Sequence, residues 1–204
     1  KPEGIRPLYA YAQLLMAISG TDARYGTTET PMKFYAAWRE EELSNADIAA
    51  RVNSQLDAHQ MATLFAERPA GLRKHFEALW SKPVLPTDQD AAIIGLLSPT
   101  RFLEFIRYFI LYDRKVGKIA ARYQQISGVK LMLERVAKRN RDGGREGGVI
   151  WHTTGSGKSY TMVFLLKALL IDDDLSKCRV IVVTDRTDLE RQLAGTFVSG
   201  GAFG

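Results

Sequence analysis

The sequence predicts an α/β fold in which a parallel sheet starts at a glycine-rich loop, preceded by a helical connector and by the end of another α/β unit. Three observations predict it. Gly148-Val149-Ile150-Trp151-His152-Thr153-Thr154-Gly155-Ser156-Gly157-Lys158-Ser159 reads as a short apolar strand that runs through a glycine turn into a helix. Tyr160-Thr161-Met162-Val163-Phe164-Leu165-Leu166-Lys167-Ala168-Leu169-Leu170 is apolar nearly all round, as suits a helix held between a sheet and another layer. Val180-Ile181-Val182-Val183 sets four β-branched residues in succession without alternation, the mark of a strand covered on both faces and so of a parallel sheet. Strand, loop, helix and strand make one βαβ unit, whose crossover is right-handed and whose ligand lies at the carboxyl ends of the strands.

Taken from the N-terminus, Leu14-Leu15-Met16-Ala17-Ile18 reads as a strand, Ser19-Gly20-Thr21-Asp22 as a turn and Ala23-Arg24-Tyr25-Gly26-Thr27 as a second short strand. From Pro31 to about Trp80 the spacing is helical, with Met32, Tyr35, Ala36 and Trp38 in one segment and Ile48, Ala49, Val52, Leu56, Met61, Leu64 and Phe65 in the next. Within it, Arg39-Glu40-Glu41-Glu42 reads as a solvated face, and His59 and His75 as surface or packing residues. Pro83, Pro86 and Pro99 punctuate a connector. Ser98-Pro99 is a helix start, with Ser98 as N-cap and Pro99 at the first helical position, and Phe102, Leu103, Phe105, Ile106, Phe109 and Ile110 follow as a core stripe. Asp113-Arg114-Lys115 reads as a solvated charge cluster at that helix's end. A further helix carries Val129, Met132, Leu133 and Val136 on one side, and Asn140 to Gly147 is a mixed-charge linker into the glycine loop.

The composition narrows the function. The 204 residues are 46% hydrophobic, enough to bury a core, and Lys+Arg 28 against Asp+Glu 23 gives +5, compatible with nucleic acid without arguing for it. A single cysteine, Cys178, excludes an internal disulfide and, with only three histidines, leaves no Cys/His metal cluster; the expected compartment is the cytoplasm. No apolar run approaches a membrane span, so no membrane partner is expected. The chain starts without methionine and stops in a loop, which reads as a piece of something longer.

The chemistry lies in the loop. Glycines at 155 and 157 let successive N–H groups converge on one anion, the following helix adds the partial positive charge of its N-terminus, and Lys158 adds a full charge able to reach β and γ phosphates. Thr154, Gly155, Ser156, Gly157, Lys158 and Ser159 are therefore the candidate ATP-binding set, with the Ser159 hydroxyl a ligand for Mg2+. The pattern G-x-x-x-x-G-K-[ST] asks for glycine at position 152, where the chain has His152.

Ile150-Trp151-His152-Thr153-Thr154-Gly155-Ser156-Gly157-Lys158-Ser159-Tyr160-Thr161-Met162, followed by Val182-Val183-Thr184-Asp185-Arg186-Thr187-Asp188-Leu189, resembles the first helicase motif and its successor in the R (restriction) subunit of type I restriction-modification enzymes. Leu14 to Gly26 is similar to the end of that family's nuclease domain, and Arg122-Tyr123-Gln124, with Gln125 as an alternative contact, to the segment with which superfamily 2 motors touch adenine. The resemblance implies residues 1–40 as the end of a nuclease domain, 41–115 as a helical connector and 116–204 as the first part of a RecA-like helicase or translocase lobe. It further implies Tyr123, Gln124 and Gln125 on the nucleotide, Thr184, Asp185 and Arg186 on nucleic acid, double-stranded DNA as the track, and partnership with specificity (S) and methyltransferase (M) subunits. The activity implied is an ATP-dependent type I site-specific deoxyribonuclease. No Glu-x-Lys occurs in the chain, and neither the Asp-Glu box nor the arginine finger of the motor is present, so no catalytic residue is assigned and this segment alone is expected neither to cut nor to hydrolyse. A superfamily 2 motor without nuclease activity and a small-molecule P-loop kinase are the alternatives.

Overall fold

A computed structural model describes residues 9, 11–28, 30–113, 117–184 and 187–199. The predicted strand, turn and second strand form, and they make a hairpin: β1 (Leu15–Ile18) and β2 (Ala23–Gly26) pair antiparallel with Leu15 opposite Gly26. Its turn is closed by the Ser19 N–H on the Asp22 carbonyl at 2.9 Å and by the Asp22 N–H on Ser19 Oγ at 3.1 Å.

The helix expected to carry Met32, Tyr35, Ala36 and Trp38 is not there. A single 3-10 turn, Met32–Phe34, ends at Tyr35, and β3 (Ala36–Ala37) pairs with the free edge of β2. Tertiary contacts override the local spacing: the Tyr35 ring covers Gly26 closely enough that a Cβ there would sit 2.7 Å from it, and Trp38 meets the buried Tyr25 edge-on at 6.2 Å.

The connector is a run of short helices whose starts are fixed by side-chain caps. Helix α1 (Asn45–Val52) is capped by Ser44 with Asp47, and α2 (Ala58–Phe65) by Asp57 with Gln60. Helix α3 (Ala70–Trp80) stacks Phe76 and Trp80 on Phe65 of α2, and neither α2 nor α3 buries a residue fully. The proline-punctuated stretch beyond it holds a further helix, α4 (Asp88–Leu96), capped by Thr87 with Asp90. Helix α5 (Pro99–Phe109) starts where predicted, with Pro99 in its first turn, and buries Phe105 and Phe109, while Leu103 of the expected stripe faces solvent.

Two charge readings are corrected. Arg39, Glu41 and Glu42 are exposed, as a solvated face requires, but Glu40 is not part of it: its side chain, 3% exposed, accepts both Arg101 guanidinium nitrogens at 2.9 and 3.0 Å, while Glu41 accepts from Ser127 and Glu42 bridges Arg101 and Lys130 at the surface. Asp113 does not lie at a helix end but closes strand β4 (Ile110–Asp113) and is buried; Arg114 and Lys115 lie outside the described residues.

Strand β4 pairs antiparallel with β5 (Gly117–Ala120), which leads directly into α6 (Tyr123–Ala137). Beyond the linker come α7 (Lys158–Ile171) and α8 (Thr187–Ser199). One core joins these parts, in which Tyr25 of β2, Leu96 of α4, Phe105 and Phe109 of α5, Val129 of α6 and Phe164 of α7 form a continuous cluster. The mixed helix-and-strand composition is as predicted. The parallel sheet is not formed among the described residues: residues 148–153 and 180–184 carry no ladder, and Val149 and Val183 are 93% and 87% exposed. A strand of that kind needs a neighbour along its edge and layers on both faces, and among the described residues no strand flanks either segment.

Candidate nucleotide site

The glycine loop has the backbone its sequence requires. Gly155 and Gly157 hold φ of +78° and +87°, a region that a side chain disfavours, and the Ser156 N–H closes the turn on the Thr153 carbonyl at 3.2 Å. Gly157 then caps α7, whose opening N–H groups have no acceptor within the helix and so present donors and a partial positive charge at the loop. Lys158 is folded over the same turn, its Nζ donating to the His152 and Thr153 carbonyls at 3.1 and 3.3 Å. An anion with stronger acceptors than two carbonyls would draw that ammonium outward. Thr154 is exposed and Ser159 half-buried.

The structure separates the three upstream candidates. Gln125, 4% exposed, accepts from the Arg122 N–H at 2.8 Å through Oε1 and donates from Nε2 to the Gly157 carbonyl at 3.0 Å, which clamps the start of α6 to the loop. Tyr123 and Gln124 turn to a neighbouring cavity of about 320 Å3 that they share with Arg39, Lys33 and Phe34. There the Arg39 guanidinium lies 5.8 Å from the Tyr123 ring centroid, and Gln124 Oε1 is buried without a hydrogen-bond partner. His152 lies against α6 at Gly128, where a Cβ would come 3.5 Å from its Nε2.

Beside the loop is a pocket of about 330 Å3, lined by Gly155, Ser156 and Gly157, by Gln125, Arg122 and Tyr160, and by Tyr25, Gly26, Thr30, Pro31 and Phe34 from the β2–β3 region. The place of this last group at the loop is not legible in the sequence, since these residues lie more than a hundred positions away and the resemblance of Leu14–Gly26 points to a nuclease domain rather than to a nucleotide. Tyr160 was also missed. Its hydroxyl donates to Asp113 Oδ2 at 3.4 Å, and burial, reinforced by that carboxylate, holds its pKa above the usual phenol range.

Of the nucleic-acid candidates, Thr184 is half-buried, and Asp185 and Arg186 lie outside the described residues. Among the described residues no group of three His, Cys, Asp or Glu side chains could hold a metal ion. No helix among them is long and apolar enough to cross a membrane.

Comparison with known proteins finds relatives of this chain. The model of the SWI2/SNF2 ATPase family matches residues 124–202. The type I restriction enzyme HindI endonuclease subunit of Haemophilus influenzae is 30% identical over 202 residues, covering 96% of this chain and 16% of that protein. The putative type I restriction enzyme MjaIXP endonuclease subunit of Methanocaldococcus jannaschii is 30% identical over 98% of this chain and 18% of its own length. The putative MjaVIIP subunit of the same organism reaches 41% identity over 108 residues. The chain thus spans less than a fifth of the length of these relatives. No solved structure matches.

Proposed function

From a chain similar over nearly its whole length to type I restriction enzyme endonuclease subunits, we propose that this segment supplies the ATP phosphate-binding loop of a motor that translocates double-stranded DNA within a type I restriction complex. The observation that carries the reading is the loop itself: two left-handed glycines lead into a helix N-terminus, a lysine is folded over the same turn, and Gln125 holds the Gly157 carbonyl. In this reading the N–H groups of Gly155 and Gly157 and those that open α7 take the β phosphate, Lys158 leaves its carbonyls for the β and γ phosphates, and Ser159 would hold Mg2+. Thr154 borders the phosphates, Gln125 flanks the nucleoside from the loop side and Tyr123 and Gln124 from the adjoining cavity that shares Phe34, and Thr184, Asp185 and Arg186 face the DNA. Mg2+ neutralises developing phosphate charge when bound. Hydrolysis also needs an acidic pair to orient water and an arginine on the γ phosphate, so this segment contributes binding and the remaining groups come from elsewhere in the assembly. The specificity and methyltransferase subunits are the partners, and cleavage of DNA is the activity of the whole.

Lys158→Ala in the intact protein is expected to abolish ATP-dependent translocation and cleavage, measured by restriction of unmodified DNA; a variant that still restricts overturns the reading. A second reading, a superfamily 2 motor without nuclease activity, is favoured by the SWI2/SNF2 match, which covers only the motor portion. Purified complex that translocates DNA with ATP but never cuts it would establish that alternative.

A further inference from the structure

The pocket beside the loop is built from two parts of the chain. Its floor is Gly155 to Gly157 with Gln125, and its far wall is the β2–β3 turn, from which Pro31 and Phe34 reach it. Phe34 is 54% exposed, an aromatic ring at the mouth of a concave site rather than in the core. The turn that carries it is fixed. Phe34 N–H donates to the Pro31 carbonyl at 2.8 Å, the Thr30 N–H donates to the Thr27 carbonyl at 3.0 Å, and the fully buried Thr27 hydroxyl donates to the Lys118 carbonyl of β5. Tyr25, from the same strand, donates its hydroxyl to the Ala121 carbonyl at 2.8 Å. Since β5 leads into α6 and Gln125 of α6 donates to Gly157, a short series of hydrogen bonds holds the Phe34 turn at a set distance from the loop.

Resting on the reading of the loop as a phosphate site, we propose that the nucleoside half of the bound nucleotide occupies this pocket with its base stacked on Phe34. The volume, about 330 Å3, suits a base and its sugar and lies at the small end of ligand sites, about 300 to 1,000 Å3. The wall is apolar where a base would lie, at Pro31, Phe34 and Ala36, and polar towards the loop, at Arg122 and Gln125. At present the Lys33 ammonium lies 4.9 Å from the Phe34 centroid. An exposed cation–π contact is worth about 0.5–1 kcal/mol and base stacking about 1–3 kcal/mol, so a base displaces the ammonium from the ring. The three-stranded sheet ahead of the motor segment is then part of the nucleotide site and distinguishes a nucleotide from a bare polyphosphate.

Calorimetric titration of the intact protein in Mg2+ with ATP and, separately, with inorganic tripolyphosphate tests this. Phe34→Ala is expected to weaken ATP about thirtyfold, corresponding to the middle of the stacking range, and to leave tripolyphosphate within twofold of wild type. Phe34→Trp is expected to keep ATP affinity, and Lys158→Ala to lose both ligands. Unchanged ATP binding by Phe34→Ala, or equal weakening of both ligands, overturns the stacking assignment while the phosphate site stands. A wild-type protein that binds neither ligand overturns the phosphate reading and this inference with it. Because Phe34 is exposed, its truncation removes no core contact, and tripolyphosphate binding serves as the control for an intact loop.

Discussion

Gly155 and Gly157 share a left-handed backbone, but their surroundings differ. A Cβ on Gly155 would meet nothing within 4 Å, whereas one on Gly157 would lie 2.8 Å from Gln125 Nε2. Alanine at 155 therefore carries only the conformational cost of the left-handed region, about 1–2 kcal/mol. Alanine at 157 adds a clash with a buried amide whose two ends are already engaged, and either the Gln125 bond to the Gly157 carbonyl breaks or the loop moves. Gly157→Ala is expected to lower Tm more than Gly155→Ala and to weaken ATP the more severely of the two, read by thermal unfolding and by titration on the same preparations. Equal losses at the two positions would show that Gln125 does not support the loop.

At the level of elements, the acidic stretch after β3 ties two helices together, from the buried Glu40 carboxylate and from the exposed Glu42. Glu40 and Glu42 draw Arg101 of α5 and Lys130 of α6 together, and Glu104 of α5 adds a second contact to Lys130 at 3.2 Å. Burial alone would raise the Glu40 pKa, but hydrogen bonds from Arg101, Trp38 and the Glu42 and Leu43 N–H groups outweigh it and hold the carboxyl below the usual range. For Glu42, the Lys130 hydrogen bond acts against a smaller burial cost in the same downward direction. A depressed folded-state pKa contributes stability that is present above the ordinary carboxylate pKa and is lost as pH falls through the depressed value. The urea midpoint is accordingly expected to fall as pH drops from about 5 towards 3, and Glu40→Gln is expected to flatten that dependence. A midpoint equally steep with pH in the variant would remove Glu40 from the tie. The elements also differ in how far local pattern revealed them. The β1–β2 hairpin, the Pro99 start of α5 and the all-round apolar α7 were visible because each is specified by neighbours in sequence. The two-residue β3 exists only because β2 offers an edge, α4 was masked by the prolines around it despite the cap at Thr87, and the burial of Glu40 depends on Arg101, 61 positions away.

At the scale of the whole molecule, the site joins regions that the sequence presents as separate. The loop's own chemistry was legible because glycine spacing, lysine and the following helix are all local. Its far wall is not, because Phe34 and Tyr25 reach it only through β5 and α6, and the apolar segments at 148–153 and 180–184 show no ladder among the described residues although their composition calls for one. The connection has a measurable consequence. A nucleotide that bridges loop and wall restrains both, while a polyphosphate restrains only the loop, and amide exchange reports local opening region by region. Adding ATP and Mg2+ to the intact protein is expected to slow exchange in peptides covering residues 153–161 and also in those covering 30–37. Tripolyphosphate is expected to slow the first set alone. Protection confined to 153–161 with both ligands would mean that the β2–β3 turn borders the site without taking part in it.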